Sequence, residues 1–428
     1  MSSDSTRVLY DYRAGSQIFR PKELPLRNLG SVQARLLRLV LALAITVAAV
    51  LELRSWQNVA RPYSSAPASC NATPTPRRTG VITSAESLQA AVNSFNALQV
   101  CFGGPQGSFR GPFVGLAAAW PESQALSALL YLANVHSAPA SIRSEIVQKM
   151  AVLNNYWDPK GGYFPSGRWF STGIGIKKYD DNAWLGLDLV DAYLITHKAS
   201  YLDKARAVAQ FETTGWSKNA HFVDPGGLYW QQPPYGQHRN AVSTAGAALL
   251  NGQLYGITGI KLYRNRAEQY LHWTVSALTL KNGLIGDQIS VDGVVNHRVW
   301  SYNQGLVIAA DVSLYKTTRN PAYLVAAQLL AQKSLSYLTS GNRLEHQPQV
   351  FDAIFFRGLM SLNAVAPDAR YFRALRSYAT YLYDRMVPST GVVHLGPMTT
   401  VSTGWLLTQA AATQVFTLMG STSQTLSA

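Results

Sequence analysis

The feature that most restricts the fold of this chain is a recurring pair of helical segments. "AWLGLDLVDAYLITHKASYLDKARAVAQF" joins an apolar run rich in Ala, Leu and Gly to a more polar run through a short turn. "AVSTAGAALLNGQLYGITGIKLYRNRAEQYLHW", "NQGLVIAADVSLYKTTRNPAYLVAAQLLAQKSL" and "AIFFRGLMSLNAVAPDARYFRALRSYATYLY" repeat the plan. "AWPESQALSALLYLANVHSAPASIRSEIVQKM" fits in front of them, and "VSTGWLLTQAAATQVFTLM" supplies a last apolar helix that "SAESLQAAVNSFNALQ" can partner. The apolar helices start near residues 120, 182, 243, 303, 353 and 402, about 50 to 60 apart. A helix that is apolar nearly all round must be covered on several sides, whereas an amphipathic one belongs in an outer layer. Such pairs can stack as an open solenoid or close into a ring. An open array needs a polar capping repeat, and the last helix here is apolar, so closure is expected. Residues 81–420 are therefore expected to form an all-α (α/α)6 barrel of six inner and six outer helices, followed by a tail at 421–428. With 47% hydrophobic and 14% charged residues among 428, the chain can fill such a core and is not globally disordered.

Ahead of the barrel, residues 1–35 are basic, residues 36–53 ("LLRLVLALAITVAAVLEL") are apolar, and residues 54–80 form a Pro/Ser-rich linker. Positive residues before an apolar run predict a cytoplasmic amino terminus with the remainder outside. The apolar run reads as a signal anchor, with a cleaved signal peptide or a buried helix as alternatives. The expected location is the outer face of a membrane, reached through this helix, or the medium. Formal charge is +14, which suits anionic polymers or surfaces. The basic residues are scattered and no nucleic-acid motif is present, so a nucleic-acid partner is not expected. Cys70 and Cys101 show no metal-ligand spacing. Paired, they would close a loop worth roughly 3 kcal/mol; two free thiols remain the alternative.

In an (α/α)6 ring, the loops running into the inner helices gather at one mouth. Here those loops are long and aromatic: "NNYWDPKGGYFPSGRWFSTGIGIKKYDD", "HFVDPGGLYWQQPPYGQHRN", "GLIGDQISVDGVVNHRVWSYNQG" and "GNRLEHQPQVFD". The opposite turns, "THKASY" and "TTRNPAY", are short. Long loops on one face of a scaffold usually carry function. Aromatics interleaved with Asp, Asn, Gln and His make a cleft able to stack sugar rings and bond hydroxyls. Trp157, Trp169, Trp230 and Trp300 are the large aromatics of these loops, and core plugs are the alternative reading for each.

At the entrance to the second inner helix stand two adjacent acids, Asp180 and Asp181, in "KKYDDNAW". One can cap the helix and be held ionised by its dipole. The other, beside a like charge and aromatic walls, is expected to have a raised pKa. An ionised and a protonated carboxyl together are what glycoside hydrolysis requires. A plain helix cap is the competing reading of the motif alone. Asp188 and Asp191, further along, are expected to be outer-surface or inter-helix polar groups.

The ordered blocks "KKYDDNAWLGLDLVDAYLITHKASYLDKA", "GGLYWQQPPYGQHRNAVSTAGAALLNGQLYGITG" and "GLIGDQISVDGVVNHRVWSYNQGLVIAADVSLYKTTRNPAYL" resemble glycoside hydrolase family 76, the endo-α-1,6-mannanases and their relatives, over roughly residues 115 to 385. The resemblance implies an (α/α)6 barrel and a retaining mechanism without metal or other cofactor. Asp180 would be the nucleophile and Asp181 the general acid/base. "YNQG" (Tyr302, Asn303, Gln304, Gly305), Gly226-Gly227 with Tyr229 and Trp230, and Asn240 match the family's polar and aromatic positions. Trp184, Trp230, Trp300 and Tyr302 are candidates for sugar stacking. The chain departs from the family at Asp352-Ala353, where members usually carry Lys-Gly, although Phe355 and Arg357 fit. Asp352 is therefore expected near the mouth, altering a subsite. The implied partner is an α-mannan-class polysaccharide, met by a monomer. A mannan transglycosylase active in wall remodelling, or a glycan-binding barrel without turnover, are the alternatives.

Overall fold

The structure is a computed structural model that describes Cys70 and residues 80–110, 116–165, 176–233, 238–394 and 403–421. The apolar segment 36–53, nearly all of the linker and Trp169 lie outside the described residues. Among the described residues no helix is long and apolar enough to cross a membrane.

Among the described residues twelve α-helices follow one another: α1 Ser84–Phe102, α2 Ala119–Ala133, α3 Ala140–Ala151, α4 Tyr179–Thr196, α5 Ala199–Glu212, α6 Ala241–Thr258, α7 Lys261–Leu278, α8 Ser301–Thr318, α9 Pro321–Thr339, α10 Gln349–Asn363, α11 Ala369–Tyr383 and α12 Thr403–Gly420. The even-numbered helices form the inner ring. Each packs on the next, α2 on α4, α4 on α6, α6 on α8, α8 on α10 and α10 on α12, and α12 returns to α2. The odd-numbered helices lie outside, and α1 pairs with α12, so the first helix covers the last. The (α/α)6 expectation holds, and the apolar inner helices are buried almost throughout.

Three successive units end their inner helix with the same device. The last residue is Thr196, Thr258 or Thr318, followed by His197, Gly259 or Arg319 in the left-handed conformation (φ 54°, 65° and 60°). Each threonine hydroxyl donates to the carbonyl four residues back, at 2.6, 2.7 and 2.6 Å. It then accepts from the backbone N–H two residues on, at 3.4, 3.2 and 3.2 Å. The carbonyl ends of the inner helices are thus satisfied in a tight reversal, which leaves the opposite face free for the long loops.

Inner helices α8 and α10 touch backbone to backbone. A Cβ on Gly305 would lie 2.5 Å from Phe355 Cα, and one on Gly358 would lie 2.1 Å from Gly305 O. The glycine of "YNQG" therefore sets the spacing of the ring. Cys70 and Cys101 are joined, with Cα atoms 5.9 Å apart, which fixes residue 70 to the last turn of α1. Regular strand structure is confined, among the described residues, to a pair at the mouth, β1 Arg239–Asn240 antiparallel to β2 Gln288–Ile289.

Candidate active site

The amino ends of the inner helices meet at the mouth, and the start of α4 is the most constrained of them. Lys178 pairs with Gln231 in an antiparallel bridge, and Tyr179 N donates to Trp230 O at 2.9 Å. Gln232 N donates to Lys177 O at 3.0 Å, and Lys177 N to Gln232 Oε1 at 3.2 Å. The segment carrying Tyr229 and Trp230 is laid against the helix start by these bonds. Asn182 clamps the other side, accepting from Tyr163 N at 2.6 Å and donating to Tyr163 O at 3.0 Å and Lys178 O at 2.7 Å. The Lys177 ammonium, 2.6 Å from Asp158 Oδ2, ties down the same loop.

Asp180 and Asp181 fall in the first turn of α4, and Lys178 takes the cap position without a side-chain capping bond. The expectation of an aspartate as N-cap is corrected in this respect: both acids are inside the helix. They differ in surroundings. Asp180 Oδ2 accepts from Trp230 Nε1 at 2.9 Å. Burial raises the Asp180 carboxyl above its ordinary range, but the Lys178 charge, the Trp230 N–H and the backbone N–H groups of Asp180 and Asp181 oppose that rise. Asp181 is 4% exposed. Burial first, then the neighbouring Asp180 charge, push it up to about 7, with only Lys178 opposing. Asp180 therefore ionises first and Asp181 keeps its proton longer.

The other candidates separate into two groups. Trp184 lies one turn deeper on the same helix face, 2% exposed, with its ring 5.4 Å from that of Trp120. It is a buried wall beneath the pair rather than an open platform. Trp230 is half-buried beside Asp180, and Tyr229, also half-buried, donates its hydroxyl to Ser217 at 3.0 Å. Trp300 is half-buried and sits edge-on to Phe351 at 5.2 Å, and Arg298 covers it at 4.0 Å. Tyr302 stacks on the opposite part of this cluster, 3.9 Å from Phe351.

Three polar candidates act in the scaffold instead. Asn240 caps α6, accepting from Ser243 N at 3.2 Å. The Gln304 amide is occupied by Ile285 N at 2.9 Å, Ile285 O at 2.8 Å and Trp300 O at 3.1 Å, so it fastens a mouth loop. Asp352 is fully buried, and its Oδ2 accepts from Tyr378 of the outer helix α11 at 2.9 Å. Its placement at the mouth is corrected: one residue of helical rotation turns it between helices, where burial pushes its carboxyl well up and keeps it neutral. Asn303 is likewise fully buried.

Sequence reasoning passed over Asp287, Arg239 and Glu212. Asp287, in "GLIGDQI", faces the side chains of Trp300 and Asn303; these and Arg298 oppose the rise that its burial causes. An isolated acid between a glycine and β-formers was the available signal. Arg239 is fully buried and donates to the carbonyls of Asp224 at 2.6 Å, Val223 at 3.0 Å and Ser290 at 2.9 Å, holding two mouth loops together. Gly226-Gly227 lie under Trp273, and a Cβ on Gly227 would lie 2.3 Å from that ring. Glu212, at the end of α5, is fully buried, and burial followed by the Asp180 charge keeps it protonated. His238, His297 and His346 are exposed and do not gather with the acids. Asp188 and Asp191 lie against Arg357 at the far end of the lumen side of α4, where Asp188 accepts from Ser127 at 2.5 Å.

Known proteins resemble this chain in sequence and in fold. The mannan endo-1,6-alpha-mannosidase DCW1 of Saccharomyces cerevisiae is 26% identical over 174 residues, 39% of this chain and 36% of the relative. The mannan endo-1,6-alpha-mannosidase DFG5 of Candida albicans is 25% identical over 247 residues, 53% and 50% of the two chains. The chain thus spans about a third to a half of the length of these curated relatives. In structure, it superposes on a family 76 glycoside hydrolase from a bovine Bacteroides thetaiotaomicron strain with a TM-score of 0.67 and 20% identity, covering 79% of each chain. An inactive variant of the α-1,6-mannanase GH76A of Salegentibacter sp. HEL1_6, with two consecutive aspartates changed to asparagine and α-1,6-mannotriose bound, gives a TM-score of 0.63 at 20% identity, covering 78% of this chain and 99% of that one. The sequence signature of glycosyl hydrolase family 76 matches residues 83–392, and the chain belongs to that family.

Proposed function

We propose that the protein is a retaining glycoside hydrolase that cleaves α-1,6-mannosidic linkages in a mannan-class polysaccharide. The observation that carries this reading is the inequivalence of two adjacent buried carboxyls at the mouth, one with an N–H donor and one held up to about 7. Asp180 attacks the anomeric carbon of a mannosyl unit, and Asp181 gives its proton to the departing oxygen. Asp181 then takes a proton from the water that releases the covalent mannosyl-enzyme. The Trp230 N–H holds Asp180 by Oδ2 and so fixes the orientation of the attacking carboxylate. The inactive Salegentibacter variant, altered at two consecutive aspartates, supports the assignment of the pair. Trp230, Tyr229 and Trp300 line the path of the sugar.

The joined Cys70 and Cys101 support an oxidising location outside the cytoplasm. An anchor at 36–53, a linker at 54–80, the barrel at 81–420 and a monomeric state complete the reading. Asp352, the departure from the family pattern expected near the mouth, is fully buried, so it sets no foreign charge there to favour a barrel without turnover.

The test is incubation of the protein with linear α-1,6-mannan while product anomers are followed by NMR. Initial release of the α-anomer is expected, and the Asp181→Ala variant should lose far more activity on polymer than on an activated aryl mannoside. No cleavage, or initial β-anomer, refutes the reading.

A further inference from the structure

The start of α4 departs from what a helix amino end favours. That end carries a partial positive charge of about half a unit and prefers Ser, Thr, Asp or Asn at its cap. Lys178 stands there, with no capping bond from its side chain. Lys198 occupies the same position on α5, but it is exposed, where water screens the conflict. Lys178 is half-buried in the mouth. Its backbone leaves it little freedom: it pairs with Gln231, and its carbonyl accepts from Asn182 N at 3.2 Å and Asn182 Nδ2 at 2.7 Å. Its ammonium lies 4.4 Å from the centroid of the Trp230 ring. The same indole donates its N–H to Asp180. One ring therefore holds a cation on its face and a carboxylate at its edge.

The neighbouring charges do not substitute for it. Lys177, the next cation in the chain, is committed to Asp158 at 2.6 Å. Glu212 from α5 adds a further buried acid behind Asp180, and Tyr229 from the mouth segment is bonded to Ser217. Of the described cations, Lys178 is the one whose charge is felt by both Asp180 and Asp181. A residue that violates a local rule at a buried site is expected to repay it there.

We propose that Lys178 is a positioning residue for the aspartate pair, the counter-ion that allows Asp180 to carry its negative charge inside the mouth. The inference rests on the assignment of Asp180 and Asp181 as the reacting carboxyls. Lys178 touches neither bond being broken. It sets the pH range over which one acid is charged and the other is not.

The test uses the full chain labelled with carbon-13 at the aspartate carboxyls, with Asp180→Asn and Asp181→Asn to assign the signals. In Lys178→Met both carboxyls should titrate about one pH unit higher than in the wild type, because an adjacent cation shifts a carboxylate by that order. Lys178→Arg should restore the wild-type values. The pH profile of kcat/KM on an aryl α-mannoside should slide alkaline by the same amount in the Met variant only. Unchanged titration in Lys178→Met, or failure of arginine to restore it, overturns the proposal. A wild type inert on every α-mannoside refutes the proposed function but leaves the titration to decide the role of Lys178.

Discussion

Trp230→Phe isolates one hydrogen bond at the catalytic pair. An aromatic ring remains beside Lys178, smaller by the five-membered half of the indole, and the N–H that lies 2.9 Å from Asp180 Oδ2 is lost. A hydrogen bond to a charged group contributes about 1.5–3 kcal/mol, and one pKa unit corresponds to about 1.4 kcal/mol. The Asp180 carboxyl, already raised by burial, should therefore rise by a further one to two units, roughly. In the proposed mechanism Asp180 works as the carboxylate, so activity is lost as pH falls through its pKa. Raising that pKa moves the acid limb of the kcat/KM profile to higher pH by the same one to two units, roughly. The alkaline limb, governed by the Asp181 proton, should move much less. The assay is kcat/KM on an aryl α-mannoside over the full pH range, with urea unfolding as a check on the fold. An acid limb that stays in place while activity drops equally at all pH values would refute the reasoning, since it would make Trp230 a sugar platform with no hold on the nucleophile.

The remaining predictions concern stability and placement. Asp181 has a folded-state pKa of about 7 against an ordinary 3.8, so its contribution to stability is intact below pH 3.8 and is lost as pH rises through 7. Asp181→Asn should accordingly stabilise the barrel at pH 8, by up to about 4 kcal/mol, and the gain should vanish near pH 4 in urea titrations. Asp352→Asn should change kcat/KM on mannan less than about twofold, whereas Asp352→Lys, a charge placed in a fully buried site, should cost at least about 3 kcal/mol; a changed product pattern in the Asn variant would return this residue to the mouth. His197→Gly and Arg319→Gly relieve left-handed conformations and should each raise stability by about 0.5–1 kcal/mol, read as a higher urea midpoint. Replacing Cys70 and Cys101 together by alanine should lower unfolding free energy by about 3 kcal/mol, and no change would show that the bridge adds nothing to the barrel.

The ring was legible because helix pairing leaves a periodic trace. Apolar starts read near 120, 182, 243, 303, 353 and 402 correspond to helices that begin at 119, 179, 241, 301, 349 and 403. The largest offset, at α10, arises because the helix starts with Gln349 directly after Pro348, ahead of the apolar run that marks it. The diaspartate was legible because two adjacent like charges at a helix start are unusual in any setting. What the pattern could not carry was rotation and long-range pairing. At a helix start each residue turns about 100°, so Asp352 faces a neighbouring helix where Asp180 faces the mouth. The bond from Trp230 to Asp180 spans 50 residues, and the Gln304 clamp on Ile285 spans 19. Nothing local in "LYWQ" or "YNQG" records those partners. Lys178 was passed over because a lysine beside two aspartates reads as ordinary charge balance until its ring partner is seen.

The pairing of α1 with α12 also governs when the ring can close. Ser87 donates to the Phe416 carbonyl across 329 residues, and Ile82 N to Thr380 across 298. Contacts of such separation form slowly, since a long loop must close before they reward it. The mouth is bounded by staves from both extremes of the barrel, so it has no finished wall until the final helix has been delivered. A chain that emerges from its amino end during synthesis therefore cannot close its ring until almost all of it has been made.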